Sequence, residues 1–330
     1  MDPLTNRLKK RAAIISLIVG IGMFIFKVGA YLITGSAAIF SDAAESVVHV
    51  AATTVALMSI IISSRPADKS HFYGHGNVEY FSAGAEGLLI IIAAFTILYT
   101  ATLDLIQGVT IKSLDTGLII ILIASVVNLV LGFYLIREGK KYNSITLEAD
   151  GKHVLTDSFT SFGVVVGVGL VMLTGITALD PILAIIVALN ILFTGYQLIR
   201  QSVKGLMLEA DEEKLEVIVK VLKENRKDYW IDIHQLRYWE SGERVFIDFH
   251  LIMPNYFTID IAHKEMHDIE DKIRESIPGA QVLIHMDYCH PALCNLCQYH
   301  ICEKRIEKYS KNAEWDTDKL TGPAIAAHDS

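Results

Sequence analysis

Four ionisable residues stand where an apolar chain should not carry them. Glu45 and His49 lie inside one long apolar run, and His153 and Asp157 lie in another. Each pair is spaced four apart, so on a helix its two side chains stack on one face. An ionisable group at mid-membrane costs at least about 2.5–3.5 kcal/mol on insertion scales, so a group of four needs compensation. If the two faces meet, they offer two imidazoles and two carboxylates to one point. That tetrahedral set of nitrogens and oxygens suits Zn2+, with Fe2+, Co2+ and Cd2+ as competitors. Protons compete for the same lone pairs, because imidazoles titrate near neutral pH. The bland alternative is an interhelical hydrogen-bond network. Paired ligands at this spacing in two apolar runs favour metal over that reading.

Other charged residues in the apolar runs read differently. Asp42 falls about one turn before the quartet and suits a hydrogen bond to a neighbouring helix. Asp150 opens the segment that holds His153 and Asp157. Glu86 and Lys27 read as structural partners or as groups reaching for the interface.

Two further clusters carry ligand chemistry. In the polar stretch between the second and third apolar runs, Asp68, His71 and His75 are spaced three and four apart, and Gly74 and Gly76 permit tight turns around His75. Three nitrogen and oxygen ligands there could hold a second ion. Near the C-terminal end, Cys289, Cys294, Cys297 and Cys302 follow one another with His290 and His300 interleaved. Clustered cysteines in a reducing compartment point to metal ligands or free thiols rather than disulfides. Their spacing begins like a plant-type ferredoxin, but the last cysteine lies too near for that fold. A cysteine-rich zinc site is the preferred expectation, with an iron–sulfur cluster or free thiols as alternatives.

The elements that must position these groups are long and apolar. The chain has 330 residues, 52% of them hydrophobic, and a mean hydropathy of +0.39. Six stretches of about 20 residues meet the length a bilayer requires. They run approximately Ala12–Thr34, Ala37–Ile62, Tyr80–Thr102, Thr116–Ile136, His153–Leu173 and Leu179–Ile199. The first follows Arg7, Lys9, Lys10 and Arg11, yet it is too long for a signal peptide and is read as a retained helix. Lys and Arg gather in alternate connections, at 7–11, at Arg65 and Lys69, at 137–141, and at Arg200 and Lys204. That asymmetry predicts both termini in the cytoplasm. The net charge of −8 argues against nucleic acid as a partner.

With these motifs in hand, the chain resembles the cation diffusion facilitator family. The resemblance rests on SDAAESVVH at Ser41–His49, HFYGHGNVE at His71–Glu79 and EADGKHVLTDS at Glu148–Ser158, and extends over nearly all of residues 10–288. It implies a homodimeric, proton-coupled exporter of divalent cations with six transmembrane helices, in the plasma or inner membrane. It also implies a transport site from the second and fifth helices, which maps onto Glu45, His49, His153 and Asp157, and a loop site at Asp68, His71 and His75. The family usually has Asp or His, then Asp, on the second helix. Here those positions are Glu45 and His49, and the total of two histidines and two carboxylates is kept.

Beyond Leu208 the pattern becomes that of a soluble domain. Glu212–Asn225 has helical periodicity, Ile233–Trp239 and Val245–Ile252 alternate as strands, Ile259–Ser276 reads as a helix and Val282–His285 as a last strand. The order αββαβ predicts a small α+β sandwich. It looks like the family's cytoplasmic domain, which resembles metallochaperones and dimerises. By that resemblance His234, His250 and His285 are ligands, with His263 and Asp287 next, while His267 is a solvated surface residue. The expected organisation is a six-helix membrane domain over 1–208, a cytoplasmic metal-binding domain over 209–288 and a Cys/His tail over 289–330. After Glu303 the chain is polar and expected to be loosely ordered. A four-ligand site leaves no open position for substrate chemistry, so no enzyme and no organic cofactor are expected. The principal rivals are an exporter of another divalent ion and a membrane metal sensor that moves no ions.

Overall fold

The computed structural model describes residues 3–34, 37–107, 116–176, 178–242 and 244–325. Within these it leaves out the side chains of 3, 30–31, 33–34, 37–45, 48, 116–121, 164–165, 167–169, 171–172 and 180. Glu45 and Asp42 therefore lie outside the described side chains. The chain divides into two compact units, one of residues up to Met207 with 241–243 and one of Leu208–Glu240 with Arg244–Ser330.

The first unit is a bundle of six helices: α1 (Pro3–Thr34), α2 (Ala37–Ser63), α3 (Val78–Gln107), α4 (Thr116–Lys141), α5 (Ile145–Thr174) and α6 (Leu179–Leu206). Each expected span lies within one of them. The helices overrun the apolar runs because hydropathy marks only what the bilayer requires, whereas backbone hydrogen bonding continues past it. Thus α1 takes in the basic turn Arg7–Arg11, and α5 begins well before His153. Among the described residues, α1, α3, α4 and α6 carry stretches long and apolar enough to cross a membrane. The described apolar part of α2 is the shorter His49–Ser63. Large side chains such as Ile18, Ile92, Val130 and Phe193 face outward, as a lipid-facing surface requires.

Lipid tails are as apolar as leucine, so helices in a bilayer associate through close packing. The most extensive contacts are α3 with α6, α4 with α5 and α1 with α2. Gly132 and Gly151 show how near α4 and α5 come. A Cβ added at Gly132 would meet the Gly151 carbonyl oxygen at 3.0 Å, and one at Gly151 would meet the Gly132 oxygen at 2.9 Å. Gly87 and Gly195 form the corresponding close approach between α3 and α6.

The second unit follows the expected order: α7 (Glu212–Glu224), β1 (Asp232–Ser241), β2 (Arg244–Met253), α8 (Ile259–Ser276) and β3 (Gln281–Tyr288). Asp211 caps α7 through the Lys214 amide, and Thr258 caps α8 through the Ile261 amide. The strands lie in the order β1-β2-β3, with β3 parallel to β2 and His250 opposite His285. Alternation sends Ile247, Phe249 and Leu251 into a core with Ile218 and Leu222 of α7 and Ile269 and Ile273 of α8. His250, His285 and Asp287 alternate with these core residues and so lie on the other face. Gln235, at φ 52°, breaks the alternation of β1, so that Ile233 and Leu236 both reach the core.

The expectation of a loose tail is overturned. Trp315 and Leu320 are buried in that same core, and the Trp315 ring stacks on Trp230 with centroids 6.5 Å apart. The Arg226 guanidinium covers the Trp315 ring at 4.1 Å and donates to the Ala313 carbonyl at 2.9 Å. Lys319, on a short helix α9 (Thr317–Thr321), pairs with the buried Asp232 at 2.7 Å. Polar composition concealed one aromatic anchor, and a single indole buries enough area to order a segment. Trp315→Ala should therefore cost about 3–5 kcal/mol, read as faster hydrogen exchange at the amides of β1 and of residues 317–322; unchanged exchange would show that the tail is not anchored there.

Candidate metal centres

In the helical unit, α2 and α5 bring His49 and His153 together. Their rings are stacked, with centroids 5.7 Å apart and planes 18° from parallel. Both are buried, and His153 Nε2 lies 3.9 Å from Asp157 Oδ2. His49 Nε2 and His153 Nδ1 have no hydrogen-bond partner among the described residues. A buried polar atom left without a partner costs about 1–3 kcal/mol, which a cation at this point would offset. A small cavity beside the His49 ring is lined also by Met23, Lys27, Ser46, Asn128 and Asp157. Three of the four expected residues are thus seen together, and Glu45 lies one turn before His49 on α2.

The neighbouring charged residues are buried rather than reaching for the interface. Lys27 is 5% exposed and lines the same cavity. Asp150 accepts hydrogen bonds from Ser16 Oγ at 2.7 Å and Thr53 Oγ1 at 3.0 Å, which ties α1, α2 and α5 together. Glu86 is fully enclosed, and its carboxylate oxygens have no hydrogen-bond partner among the described residues.

A further polar cluster escaped sequence reasoning. Glu79, at the start of α3, accepts from Ser63 Oγ at 2.9 Å and from Ser144 Oγ at 2.6 Å. Lys9 Nζ of α1 approaches its carboxylate at 3.7 Å, and both charged residues are 1% exposed. Four segments of the bundle are joined by this one carboxylate. Lys9 belongs to a basic run that reads as a topological signal, and only its burial reveals the pairing.

The loop before α3 gathers Asp68, His71 and His75, with one ligand atom from each inside 4.8 Å of the others. His71 Nδ1 lies 3.1 Å from Asp68 Oδ1, and His75 Nε2 lies 3.3 Å from Asp68 Oδ2. Asp68 Oδ1 also accepts from the Ser70 amide and hydroxyl, each at 2.9 Å, and from the His71 amide at 2.8 Å. These bonds, the Ser70 amide foremost, hold the Asp68 carboxyl well below the usual carboxylate range. Gly74, at φ 87°, supplies the left-handed turn before His75.

In the second unit the three strands align His234, His250 and His285 across the sheet. Ring centroids are 4.9 Å apart for His234 and His250, and 4.5 Å for His250 and His285. Asp287 is the common partner: His250 Nδ1 is 2.9 Å, His234 Nε2 3.6 Å and His285 Nε2 3.4 Å from its carboxylate. His234, His250 and Asp287 meet the spacing of a single ion. The other ring nitrogen, His234 Nδ1, lies 3.5 Å from the buried Asp232 carboxylate, which leaves Nε2 directed at Asp287. His263 is not brought to this row. It sits on α8, exposed, with its Nε2 3.2 Å from that of His267.

All four cysteines are free and line one pocket of the second unit. Burial pushes the Cys289 and Cys297 thiols up.

These features define a polytopic helical protein with a ligand cluster in its bundle and a separate α/β unit bearing another. The family profile described as "Cation efflux transmembrane domain" matches residues 13–207, and that described as "Cation efflux protein, cytoplasmic domain" matches 210–289. An uncharacterized transporter of Synechocystis sp. is 36% identical over 285 residues, 86% of this chain and 92% of its own length. The cation-efflux pump FieF of Pectobacterium atrosepticum is 30% identical over 87% of this chain and 95% of its own, and that of Citrobacter koseri 29% over 88% and 96%. The chain belongs to the cation diffusion facilitator family: it is an integral membrane transporter of cations.

The Lys9–Glu79 pair makes a stability prediction. Glu79→Ala removes the carboxylate facing Lys9 and the acceptor of two serines, at a cost of about 3–5 kcal/mol. Lys9→Met combined with Glu79→Leu should recover most of the loss, as thermal melts in detergent would show. Equal melting of Glu79→Ala and wild type would mean that the cluster does not hold the helices.

Proposed function

We propose that the chain exports divalent cations, Zn2+ foremost, in exchange for protons, through Glu45, His49, His153 and Asp157. The observation that carries this reading is the stacked, buried pair His49 and His153 with Asp157 alongside. Two imidazoles and carboxylates favour Zn2+ over the harder cations, with Fe2+, Co2+ and Cd2+ as the nearest alternatives.

The residues divide the work by chemistry. His49 and His153 bind the ion as neutral imidazoles, so loading drives off any protons they hold. Carboxylates at Asp157 and Glu45 balance the charge of the ion while it is out of water. When the site faces the opposite compartment, protons return to the imidazoles and weaken the hold on the ion. Rocking of the helices changes which side has access, as in other secondary transporters.

The wider arrangement follows from the same reading. The chain acts as a homodimer in the inner membrane with both termini in the cytoplasm, in keeping with its Lys and Arg distribution. Asp68, His71 and His75 bind an ion in the connection between α2 and α3. His234, His250, His285 and Asp287 bind cytoplasmic ions in the domain that follows residue 208, where loading biases the membrane helices toward transport.

The test is metal flux in sealed proteoliposomes, with and without a pH gradient, for Zn2+, Fe2+, Co2+, Cd2+ and Mn2+. The gradient should stimulate zinc flux, and Asp157→Ala or His153→Ala should lower it at least about tenfold while the protein remains folded. A different preferred ion would move the substrate assignment. No flux of any ion from folded protein would overturn transport through this site.

A further inference from the structure

The transport reading makes no use of the four cysteines. They are not scattered: Cys289, Cys294, Cys297 and Cys302 all border one pocket, shared with Ile231, Lys304 and Arg305. A buried thiol can serve simply as a small apolar side chain, and Cys297, packed with Leu293 and Leu296 on Ile252, could be explained in that way. Four thiols around a single pocket need a common reason, and none of them is paired in a disulfide.

Hydrogen bonds tie down the backbone around the pocket. No three of the sulfurs lie within 4.8 Å of one another, so a bound centre would draw the side chains inward. The Cys289 amide donates to the Met253 carbonyl at 2.8 Å, which carries the β2–β3 pairing on to the first cysteine. The Cys294 amide then closes a turn on the Pro291 carbonyl at 3.1 Å. Arg305 reaches back and donates to the carbonyls of Cys294, Cys297 and Tyr299 at 2.9, 2.8 and 3.0 Å. One guanidinium therefore sets the positions of the segments carrying two of the thiols. It also places a positive charge, with Lys304, on the border of a pocket where four thiolates would gather.

We infer that Cys289, Cys294, Cys297 and Cys302 hold a thiophilic metal centre, distinct from the histidine row on the sheet. Four thiolates around a divalent ion or an iron–sulfur cluster leave a net negative charge, which Lys304 and Arg305 offset. Binding converts the thiols to thiolates and releases their protons to solvent. The centre fastens the chain after β3 onto the sheet, because the same loop packs Leu293 and Leu296 on Ile231 and Ile252. The inference does not rest on the transport reading.

The test uses full-length protein purified anaerobically in detergent, as isolated and after loading with Zn2+ or with ferric iron, a thiol reductant and sulfide. An organomercurial displaces metal from thiolates but leaves histidine-bound metal in place. It should release about one zinc per chain, or iron with acid-labile sulfide and loss of a visible charge-transfer band. Either release supports the centre and identifies its occupant. Cys294→Ser combined with Cys297→Ser should abolish the release, whereas His153→Ala should leave it intact. If the double variant does not fold, wild-type release decides alone. Four thiols that react at once in the native, loaded protein, without metal release, would overturn the inference, as would disulfides formed among them.

Discussion

A charged or strongly polar group buried inside the helical bundle has to find a partner within the protein, and this requirement organises the helical unit. Asp150 meets it with Ser16 and Thr53, and Glu79 with Ser63, Ser144 and Lys9. These partners come from different helices, so satisfying each group also binds the bundle together. His49 and His153 differ, for each keeps a buried nitrogen without a hydrogen-bond partner among the described residues, as the Glu86 carboxylate also does. A site of this kind is costly when bare and favourable when a cation or proton arrives. On the proposed reading, that difference is what would let ions and protons exchange at one place.

The second unit answers the same need by other means. A strand sends alternate residues to opposite faces, so one sequence can build an apolar core and a ligand row at once. Phe249 and Leu251 pack under α7 and α8, while His250 between them faces His234 and His285. Asp287 contacts all three imidazoles and gives the row its negative charge. The rigidity of the sheet comes from its core, so the three imidazoles are held in their row by packing. The segment beyond β3 adds Trp315 to that core and Lys319 to Asp232, beside His234.

Much of this was legible because period and spacing carry it. The interval of four between His153 and Asp157, and the alternation around His250, translate directly into shared faces. The fold class follows from six apolar runs and an αββαβ pattern. What could not be read depends on pairing between distant residues. Nothing local marks Lys9 as the partner of a carboxylate seventy positions away, since a basic turn before an apolar run has an ordinary topological use. Trp315 is hidden by composition, because one buried indole outweighs a polar neighbourhood. The resemblance to relatives pointed to His263, but its place on α8 turns it toward His267 rather than toward the row. Lys27 reads as a structural partner or an interfacial group, and its burial beside the small cavity in the bundle favours the first.

The central claim is that the buried imidazoles of α2 and α5 exchange protons for metal. Calorimetric titration with Zn2+ in buffers of different ionisation enthalpy tests it most directly. The protein used would carry Asp68→Ala, Asp287→Ala and Cys297→Ser, so that the other clusters contribute little. The account predicts residual zinc binding that releases protons and disappears when His153→Ala is added. Residual binding that releases no protons, or that survives His153→Ala unchanged, would contradict it.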